Sequence, residues 1–308
     1  TSVAGIALRH PVVINAITGG AADVTGVNAQ LAELARRTGA AMAVGSQYAA
    51  LEDPAVRESY EVVRRVNPDG VVFANLGAHA TPAEAAAAVE MVAAAALQIH
   101  LNVAQELTMP EGDRDFRGYR ENIAAIAAAA AVPVIVKEVG AGIAREQAAE
   151  LVAAGVRAID VGGMGGTNFP AIEAARGRVA LPDDTLTWGI PTAVSAAEVA
   201  AVLPADVDLV VSGGIRTPLE AVKALAIGGR AVGIAAPAVK RLQTEGLAAA
   251  VAWLEEFLAG MRRYMLLTGA DRVSRLRAVP VVITGKSREW LAVRGVDVAG
   301  YAGRFSGR

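Results

Sequence analysis

Three polar side chains alternate along one short apolar stretch of the sequence, "LQIHLNVAQELTMPEGDRDF", at residues 97–116. At the two-residue period of a β-strand, Gln98, His100 and Asn102 share one face, and three aliphatic residues occupy the other. A buried polar group needs a partner, because it otherwise loses its hydration without compensation. His100 alone would indicate an ordinary interior histidine, but the alternation of all three residues predicts that this face lines a binding site.

A Gln-Glu pair and an acidic loop follow directly. Glu106 is a candidate oxygen ligand for Mg²⁺, because this cation takes one or two carboxylates together with substrate phosphate oxygens and keeps several waters. Gln105 can both donate to and accept from a small ligand. On residue type alone, a solvated loop carboxylate is the more common role for Glu106, and Asp113 and Asp115 would share it.

Two loops of small residues follow the last two apolar runs of the chain: "SGGIR" at 212–216 and "GIAAPAV" at 233–239. Small residues let backbone N–H groups approach an anion, and barrel enzymes commonly hold a phosphate at this position. Arg216 would supply a cation. Two ordinary tight turns could have the same composition, but the occurrence of both loops in succession favours a phosphate site.

Lys137 lies near the end of the run "PVIVKEVG". Like His100 and Asn102, it is predicted to point toward the mouth of a barrel, which is the end where the C-termini of the strands meet. A Lys beside the electron-rich edge of an aromatic cofactor can stabilise negative charge there, as flavin enzymes require around N1 and the C2 carbonyl. The alternative is a surface Lys paired with Glu138.

Further contacts to a flat ring such as an isoalloxazine are predicted for Thr18, Ser46 and Asn75, which end three successive apolar runs. Each of them alone is more often a loop cap, because Ser, Thr and Asn bond neighbouring backbone readily. The stretch "GGMGGTN" at 162–168 lacks the acidic partner of a dinucleotide fingerprint about twenty residues on. It predicts a loop that covers the cofactor, with Thr167 bonding a phosphate or ring atom.

These candidates need a fold that brings distant strand ends together. Eight short runs rich in Val and Ile alternate with Ala-rich helical segments such as residues 82–96 and 218–228, which predicts a parallel (β/α)8 TIM barrel rather than a doubly wound sheet. The predicted domain is single and covers 1–308, with a C-terminal helix and capping tail at 245–308 and a long amphipathic helix at 247–267.

The longest loops, 103–117 and 163–191, both follow strand ends where barrels build their sites. The eight runs are "PVVINAITGG", "AAMAVGS", "GVVFANLG", "LQIHLN", "PVIVKEVG", "AIDVGGMGGTN", "DLVVSGGIR" and "AVGIAAPAV".

Composition narrows the possible functions. The formal charge is −2 with no basic run, which argues against a nucleic-acid partner, and the chain has no Cys, which excludes disulfides, thiolate metal sites and a Cys nucleophile. Mean hydropathy is positive, but charges or Pro interrupt the apolar stretches within the roughly 18 residues that a membrane span needs. We therefore expect a soluble, cytoplasmic protein with no membrane partner. The chain starts at Thr1 rather than Met and shows no signal-peptide pattern, so we expect a processed or truncated terminus.

Taken together, the motifs resemble the type 2 isopentenyl diphosphate isomerases, FMN-dependent enzymes of the isoprenoid pathway. The similar stretches span nearly the whole chain from Pro11 onward, and the Gln-Glu stretch is the most specific of them. They are "INAITGG", "GSQYAAL", "ANLGA", "LQIHLNVAQELTMPEGDRDF", "VPVIVKEVG", "GGMGGTNF", "VSGGIRTPLEAVKALAIGGRAVG" and "MLLTGA".

The resemblance implies a 1,3-proton shift that interconverts isopentenyl and dimethylallyl diphosphate, with Mg²⁺ and with FMN reduced by NADPH. It implies that the flavin itself is the acid and base, and that family members are tetramers or octamers. Gln105, His100 and Asn102 are the implied catalytic contacts to the substrate, and Glu106 is the implied Mg²⁺ ligand. The implied substrate-binding residues are Ser46, Gln47, Tyr48, His100, Asn102 and Gln105. The implied FMN-binding residues are Ala16, Ile17, Thr18, Ser46, Asn75, Lys137, Gly162, Thr167, Gly214, Ile215, Arg216, Ala235 and Ala236.

Two departures from the family pattern and several rival functions accompany this interpretation. Tyr48 stands where many members have Arg, and Gly162 stands where a flavin-bonding Ser is common. The family's N-terminal segment, whose Arg-Lys pair and His hold the diphosphate, lies upstream of Thr1, so we expect incomplete diphosphate binding.

The rival functions are those of other FMN or phosphate barrels and of a catalytically silent flavin-binding barrel. Oxidoreductases that use Cys are excluded, and hydroxyacid oxidases need a late His, whereas none follows His100.

Overall fold

The alternating apolar runs form a closed barrel of eight parallel strands in the computed structural model, which describes residues 1–177 and 180–304. Each barrel strand pairs with the next along the chain, and the last pairs with the first. The TIM barrel predicted from the sequence is confirmed. A two-stranded hairpin, β1 (Ser2–Val3) and β2 (Ile6–Ala7), precedes it. The barrel strands are β3 (Val12–Ile14), β4 (Ala41–Ala43), β5 (Val72–Gly77), β6 (Ala96–Leu101), β7 (Val134–Glu138), β8 (Ala158–Asp160), β9 (Asp208–Ser212) and β10 (Ala231–Ile234).

Helices surround the barrel. The helix predicted over residues 82–96 ends at Met91, because Ala96 already begins β6, and the helix predicted over 218–228 ends at Ile227. Thr81 and Thr217 cap these two helices, and Pro occupies the first turn of each. The helices are α1 (Thr25–Thr38), α2 (Tyr48–Glu52), α3 (Glu58–Val66), α4 (Pro82–Met91), α5 (Val103–Glu106), α6 (Tyr119–Ala129), α7 (Arg145–Ala153), α8 (Phe169–Gly177), α9 (Asp183–Leu186), α10 (Thr192–Ala200), α11 (Pro218–Ile227), α12 (Ala236–Leu267), α13 (Val273–Leu276), α14 (Gly285–Val293) and α15 (Val298–Ala302).

Side chains that face the barrel interior form layers of different polarity. The lower layers are apolar and include Val13, Phe73 and Ile135. Leu97 and Ile99 belong instead to the apolar shell between the strands and the helices. The two-residue alternation predicted for β6 is therefore confirmed. At the C-terminal ends of the strands the interior layer is polar and buried, and its members are Asn15, Asn75, Gln98, Lys137, Asp160 and Ser212.

The β1–β2 hairpin closes the N-terminal end of the barrel, and the sequence analysis did not predict it. Val3 and Leu8 are buried in the same apolar cluster as Val13 of the lower layers. The Ala4 N–H donates to Asp208 Oδ2 at 2.9 Å, at the first residue of β9. The polar layer thus faces the opposite end of the barrel, which stays accessible.

Helix α12 consists of two helical parts that meet at Gly246, whose backbone is non-helical with φ 84° and ψ 174°. The helix predicted over residues 247–267 is the second part. The first part begins at Ala236, directly after β10, so its N-terminus lies at the C-terminal end of the barrel.

The C-terminal tail, for which a capping role was predicted within 245–308, packs in the described residues against helices α10 and α11. Trp290 Nε1 donates to Glu198 of α10 at 2.8 Å, and the Tyr301 hydroxyl donates to the Ile227 carbonyl of α11 at 3.0 Å. Residues 305–308 lie outside the described residues. None of the helices in the described part of the chain has the length and apolar character needed to cross a membrane.

Candidate functional site

The polar layer is a continuous hydrogen-bonded network across the barrel. Asn15 Nδ2 donates to Asp160 Oδ2 at 2.6 Å, and Gln98 Nε2 donates to Asn15 Oδ1 at 3.0 Å. Asn75 Nδ2 donates to Gln98 Oε1 at 3.3 Å, and Asn75 Oδ1 lies 2.7 Å from His100 Nδ1. The polar face of β6 therefore finds most of its partners inside the barrel, beneath the mouth.

Lys137 lies at the floor of the mouth and is only 6% exposed. Its Nζ donates to the Glu138 carbonyl at 3.1 Å, which is its one hydrogen bond within the described residues. An ammonium group has three N–H donors, so two of them are free to meet a ligand. Burial lowers the pKa of Lys137, while the charges of Asp160 and Glu138 oppose that shift.

The surface pairing considered for Lys137 is wrong, because the Glu138 carboxylate bonds elsewhere. Glu138 is 8% exposed, and its Oε2 accepts from the backbone N–H groups of Gly140, Ala141 and Gly142. Burial raises the pKa of Glu138, against the effect of these hydrogen bonds. Glu138 thus shapes the loop after β7 and leaves the Lys137 ammonium to the cavity.

Glycine-rich loops after β8 and β9 pack backbone against backbone beside Lys137. A Cβ at Gly214 would overlap the carbonyl oxygen of Gly165, and Gly214 has φ 84°. The Gly214 and Ala236 N–H groups donate to no partner in the described part of the chain, and Ala236 is the first residue of α12. Arg216 Nη2 donates to the Gly165 carbonyl at 2.9 Å and so stays at this edge. Free N–H groups, a helix N-terminus and a guanidinium form a cradle for a phosphate.

A cavity of about 610 Å³ connects this cradle with Lys137. This volume lies within the ordinary range for sites of small molecules and cofactors. The free Lys137 donors at one end and the phosphate cradle at the other fit a flavin with a single phosphate tail. Ten predicted FMN-binding residues line the cavity: Ala16, Ile17, Lys137, Gly162, Thr167, Gly214, Ile215, Arg216, Ala235 and Ala236.

Comparison with known proteins identifies the family. A family model described as FMN-dependent dehydrogenase matches residues 74–282. An isopentenyl-diphosphate delta-isomerase of Symbiobacterium thermophilum is 56% identical over 305 residues, which are 99% of this chain and 84% of that protein. The chain belongs to the isopentenyl-diphosphate delta-isomerases. The family predicted from the sequence is confirmed, and with it the class of enzyme, an FMN-dependent type of isomerase.

Other relatives agree with this family and with the barrel. The isopentenyl-diphosphate delta-isomerase of Bacillus pumilus is 47% identical over 99% of this chain and 85% of its own length. A solved structure described as a lactate oxidase of Pediococcus acidilactici has a TM-score of 0.68 at 18% identity and covers 92% of this chain and 79% of that chain. A mandelate oxidase variant with an FMN adduct has a TM-score of 0.65 at 19% identity, with 90% and 81% covered. At such identities the two oxidases show the fold alone.

Three of the residues predicted in this isomerase to bind FMN do not line the cavity, namely Thr18, Ser46 and Asn75. The Thr18 hydroxyl donates to Asn28 Oδ1, so it serves the loop after β3. Asn75 lies below the mouth in the polar network. Ser46 is exposed, and its hydroxyl is free to meet a ligand in the part of the chain described.

Gly162 is required by the backbone of this isomerase. Its φ is 45°, and a Cβ there would overlap the carbonyl of Glu138. A Ser would strain the backbone and collide with β7, which explains physically why this chain carries Gly where a flavin-bonding Ser was the family expectation.

The predicted substrate residue Asn102 and the predicted Mg²⁺ ligand Glu106 lie on the loop after β6. Asn102 Nδ2 donates to Glu106 Oε1 at 2.7 Å, and the Asp113 N–H donates to Glu106 Oε2 at 3.0 Å. No group of three or more His, Cys, Asp or Glu suited to a metal occurs in residues 1–177 and 180–304. A cation at Glu106 would therefore replace these donors and take further ligands from a bound substrate and water.

Gln105 meets a residue that the sequence analysis missed. Its Nε2 donates to Glu173 Oε1 at 2.8 Å, and Glu173 is only 7% exposed. Arg176 Nη1 lies 3.1 Å from Glu173 Oε2. The contact joins α5 to α8, so the two longest loops of the barrel meet above the mouth. Glu173 is the fifth residue of α8 and carries no local signal in the sequence, so only the folded loops reveal the pair.

Gln47 is turned away from the mouth, which corrects its predicted role in substrate binding. It is 0% exposed, its Nε2 donates to the Ala88 carbonyl at 2.9 Å, and its Oε1 accepts from the Asn75 N–H at 2.9 Å. Its side chain ties the loop after β4 to β5 and α4. Tyr48, in contrast, packs edge-on against His79, with ring centroids 4.7 Å apart, after the end of β5.

Proposed function

We propose that this chain interconverts isopentenyl diphosphate and dimethylallyl diphosphate by a 1,3-proton shift that requires reduced FMN and Mg²⁺. The observation that carries the proposal is 56% identity to an isopentenyl-diphosphate delta-isomerase over 99% of the chain. The cavity supports it, because its buried Lys137 and its phosphate cradle suit FMN. NADPH is the proposed reductant.

Different residues of the chain bind the flavin ring, its phosphate tail, Mg²⁺ and the substrate. Lys137 places a positive charge at the edge of the ring, where reduction of a flavin adds negative charge. Gly214, Ala236 and Arg216 hold the phosphate tail of FMN, and Glu106 provides the carboxylate for Mg²⁺. When bound, reduced FMN supplies the acid-base chemistry of the reaction, so no strong side-chain acid is required. Gln105, held by Glu173, contacts the isopentenyl group.

The test begins with the colour of the purified chain. We expect a yellow protein that bleaches with NADPH under anaerobic conditions and then interconverts the two diphosphates when Mg²⁺ is added. Oxidised protein and protein with excess chelator are the matched controls, and both should be inactive. Deuterium from solvent should enter the substrate, because a proton is removed and returned.

Three outcomes would contradict the proposal. A colourless protein that binds only phosphate would exclude a flavin enzyme. A protein that bleaches without turnover would favour the silent flavin-binding barrel. Oxidation of a 2-hydroxy acid would favour the other FMN oxidoreductases, whose fold this chain shares.

The proposal includes a cytoplasmic homo-oligomer of four or eight copies. Four large apolar side chains near the C-terminus are more than three quarters exposed, and burial of such surface would favour self-association. Light scattering coupled to gel filtration would test it, and a monomer at micromolar concentration would contradict it. The exposed residues are Leu266, Leu267, Val282 and Val293.

A further inference from the structure

In the hydrogen-bond network across the barrel, two groups determine which atoms donate and which accept. Asp160 is 0% exposed, and its carboxylate accepts from Asn15 Nδ2, the Ser212 hydroxyl and the Gly162 N–H. On the other side, the backbone N–H of Ala16 donates to Asn15 Oδ1 at 3.1 Å. A backbone N–H can only donate, and an ionised carboxylate can only accept. The Asn15 amide therefore has one orientation, with Nδ2 toward Asp160 and Oδ1 away from it.

This order of donors and acceptors continues through two further amides to a histidine. Asn15 Oδ1 also accepts from Gln98 Nε2 at 3.0 Å, which leaves Gln98 Oε1 to accept from Asn75 Nδ2 at 3.3 Å. Asn75 Oδ1 is then the atom that faces His100 Nδ1, at 2.7 Å. An amide oxygen has no proton to give, so this contact is a hydrogen bond only when Nδ1 of His100 carries the proton. A neutral imidazole has a single N–H, and Nε2 is left without one.

We infer that Asp160, together with the backbone N–H of Ala16, fixes the tautomer of His100 through Asn15, Gln98 and Asn75, so that His100 is neutral with its proton on Nδ1 and presents Nε2 as a hydrogen-bond acceptor. Asp160 is in this sense a positioning residue, although four hydrogen bonds separate it from the ring. The series of four hydrogen bonds ends at the Asp160 carboxylate, which accepts a hydrogen bond from Asn15.

The surroundings of His100 favour the neutral ring that this inference needs. Burial, followed by the charges of Lys137 and His79, lowers the pKa of His100 to about 3, and the Leu76 backbone carbonyl, a further acceptor for the ring N–H, opposes the shift. Lys137 is the register partner of His100 on the adjacent strand β7. A second proton on the ring would place two cations side by side beneath the mouth.

The tautomer changes what His100 can do in the proposed reaction, and this consequence rests on the proposed function. A bare Nε2 and a diphosphate oxygen are both acceptors, so they cannot form a hydrogen bond with each other. A contact between His100 Nε2 and the diphosphate would therefore need a donor between the two acceptors, such as a water molecule. The direct contact that the resemblance implied would then become a bridged one.

Nuclear magnetic resonance of the ring nitrogens tests the inference directly. The chain has three His residues, so ¹⁵N-histidine labelling gives three imidazole patterns, which His10→Gln and His79→Gln assign. For the FMN-loaded chain without substrate at pH 7.5, we expect a protonated Nδ1 and a bare Nε2 at His100. A proton on Nε2, or on both nitrogens, would overturn the inference. Because no turnover is measured, failure of the isomerase assay would leave this result unaffected.

A variant in the middle of the network tests the role of Asp160. Gln98→Met removes the link between Asn15 and Asn75 while the direct contact of Asn75 with His100 stays possible. We expect a mixture of the two tautomers. Ser212→Ala is the matched control, because it removes a donor to Asp160 that is not on the path to His100, and it should keep the proton on Nδ1.

Retention of the pure Nδ1–H form in Gln98→Met would show that Asn75 alone sets the tautomer, and would refute the role of Asp160. Thermal unfolding establishes that the variant is folded before the spectra are compared. If Gln98→Met does not fold, Asn15→Ala replaces it, because it removes the amide through which both Asp160 and the Ala16 N–H orient Gln98. The same mixture is expected, and a pure Nδ1–H form would again refute the role.

Discussion

The two halves of the mouth are built in different ways. The cofactor half, formed by the loops after β7, β8, β9 and β10, uses backbone groups, glycines and one buried ammonium. The substrate half, formed by the segments after β4, β5 and β6, uses side chains that bond to each other. Lys137 and the Gly214 N–H keep free donors, whereas Asn102 bonds Glu106 and Gln105 bonds Glu173.

This difference indicates which half is ready for its ligand. A cradle of backbone N–H groups is fixed by the fold and loses little conformational entropy when an anion binds. The side chains of the substrate half must exchange their mutual hydrogen bonds for new ones. We therefore expect substitutions in the cofactor half to act through steric strain and charge, and those in the substrate half to act through ligand affinity.

The largest effect is expected for Gly162→Ser in the cofactor half. The new side chain meets the Glu138 carbonyl, and the backbone at φ 45° disfavours it. A loss of about 2–4 kcal/mol in the free energy of unfolding is expected, together with FMN binding weakened by about 100-fold or more. Urea unfolding and flavin fluorescence measure the two quantities. Gly26→Ala, on an exposed helical site with open space around it, is the control and should stabilise by about 0.5–1 kcal/mol. Tight FMN binding by Gly162→Ser would show that this loop is not rigid.

Lys137→Met should lower the isomerase rate by about 100-fold, since a preorganised charge at a site of developing negative charge contributes on that scale. The midpoint potential of bound FMN should become more negative, because the anionic reduced ring loses its cation. Spectroelectrochemistry measures the potential. Lys223→Met removes an exposed cation on α11 and should change neither quantity. An unchanged potential in Lys137→Met would place the ammonium away from the ring.

In the substrate half, Glu106→Gln should raise the Mg²⁺ concentration for half-maximal activity by about tenfold or more, because Mg²⁺ prefers carboxylate oxygen. The amide can still accept from Asn102, so folding and FMN binding should not change. Glu111→Gln removes an exposed carboxylate in the same loop and is the matched control. Equal Mg²⁺ dependence in the two variants would make Glu106 a structural residue.

The protonation of His100 predicts how stability depends on pH. Its pKa is lowered from 6.5 to about 3 in the folded chain, so between these values the unfolded chain binds more protons. Stability that is fully present above pH 6.5 is therefore lost as the pH falls, by about 1–2 kcal/mol at pH 5. In His100→Gln this part of the loss should disappear, whereas exposed His79→Gln should retain it. An identical loss in wild type and His100→Gln would contradict a neutral, enclosed ring.

The smallest effect on the KM for the substrate is expected for substitution of Gln47, next to Ser46. Gln47→Met leaves the buried Asn75 N–H without its acceptor, which should destabilise the fold by about 1–3 kcal/mol. The KM for isopentenyl diphosphate should stay within about twofold, since the side chain does not reach the mouth. Ser46→Ala should do the reverse, with a higher KM and unchanged stability. A raised KM in folded Gln47→Met would restore its predicted role.

Local patterns in the sequence predicted the strands, and ten of the residues predicted to bind FMN line one cavity. Each strand end lies at the same mouth in a parallel barrel, so small residues at 213–214 and 235–236 and Lys137 could be assigned from order alone. The substrate half was harder, because it depends on how loops fold back. Gln47 shows the limit, since Ser46 beside it is exposed while the side chain of Gln47 is fully buried.

The sequence by itself determined the barrel and its family, because the alternation of strand and helix fixes which residues face inward. It also predicted a phosphate site after the last strands, since glycine and alanine leave the backbone open there. Only the tertiary structure decided which polar groups bond to one another. Asp160, Gln98 and Asn75 lie on three separate strands, Asn15 directly follows a fourth, and Glu173 lies on a distant helix. Hydrogen bonds between side chains depend on tenths of an ångström, which no spacing in the sequence encodes.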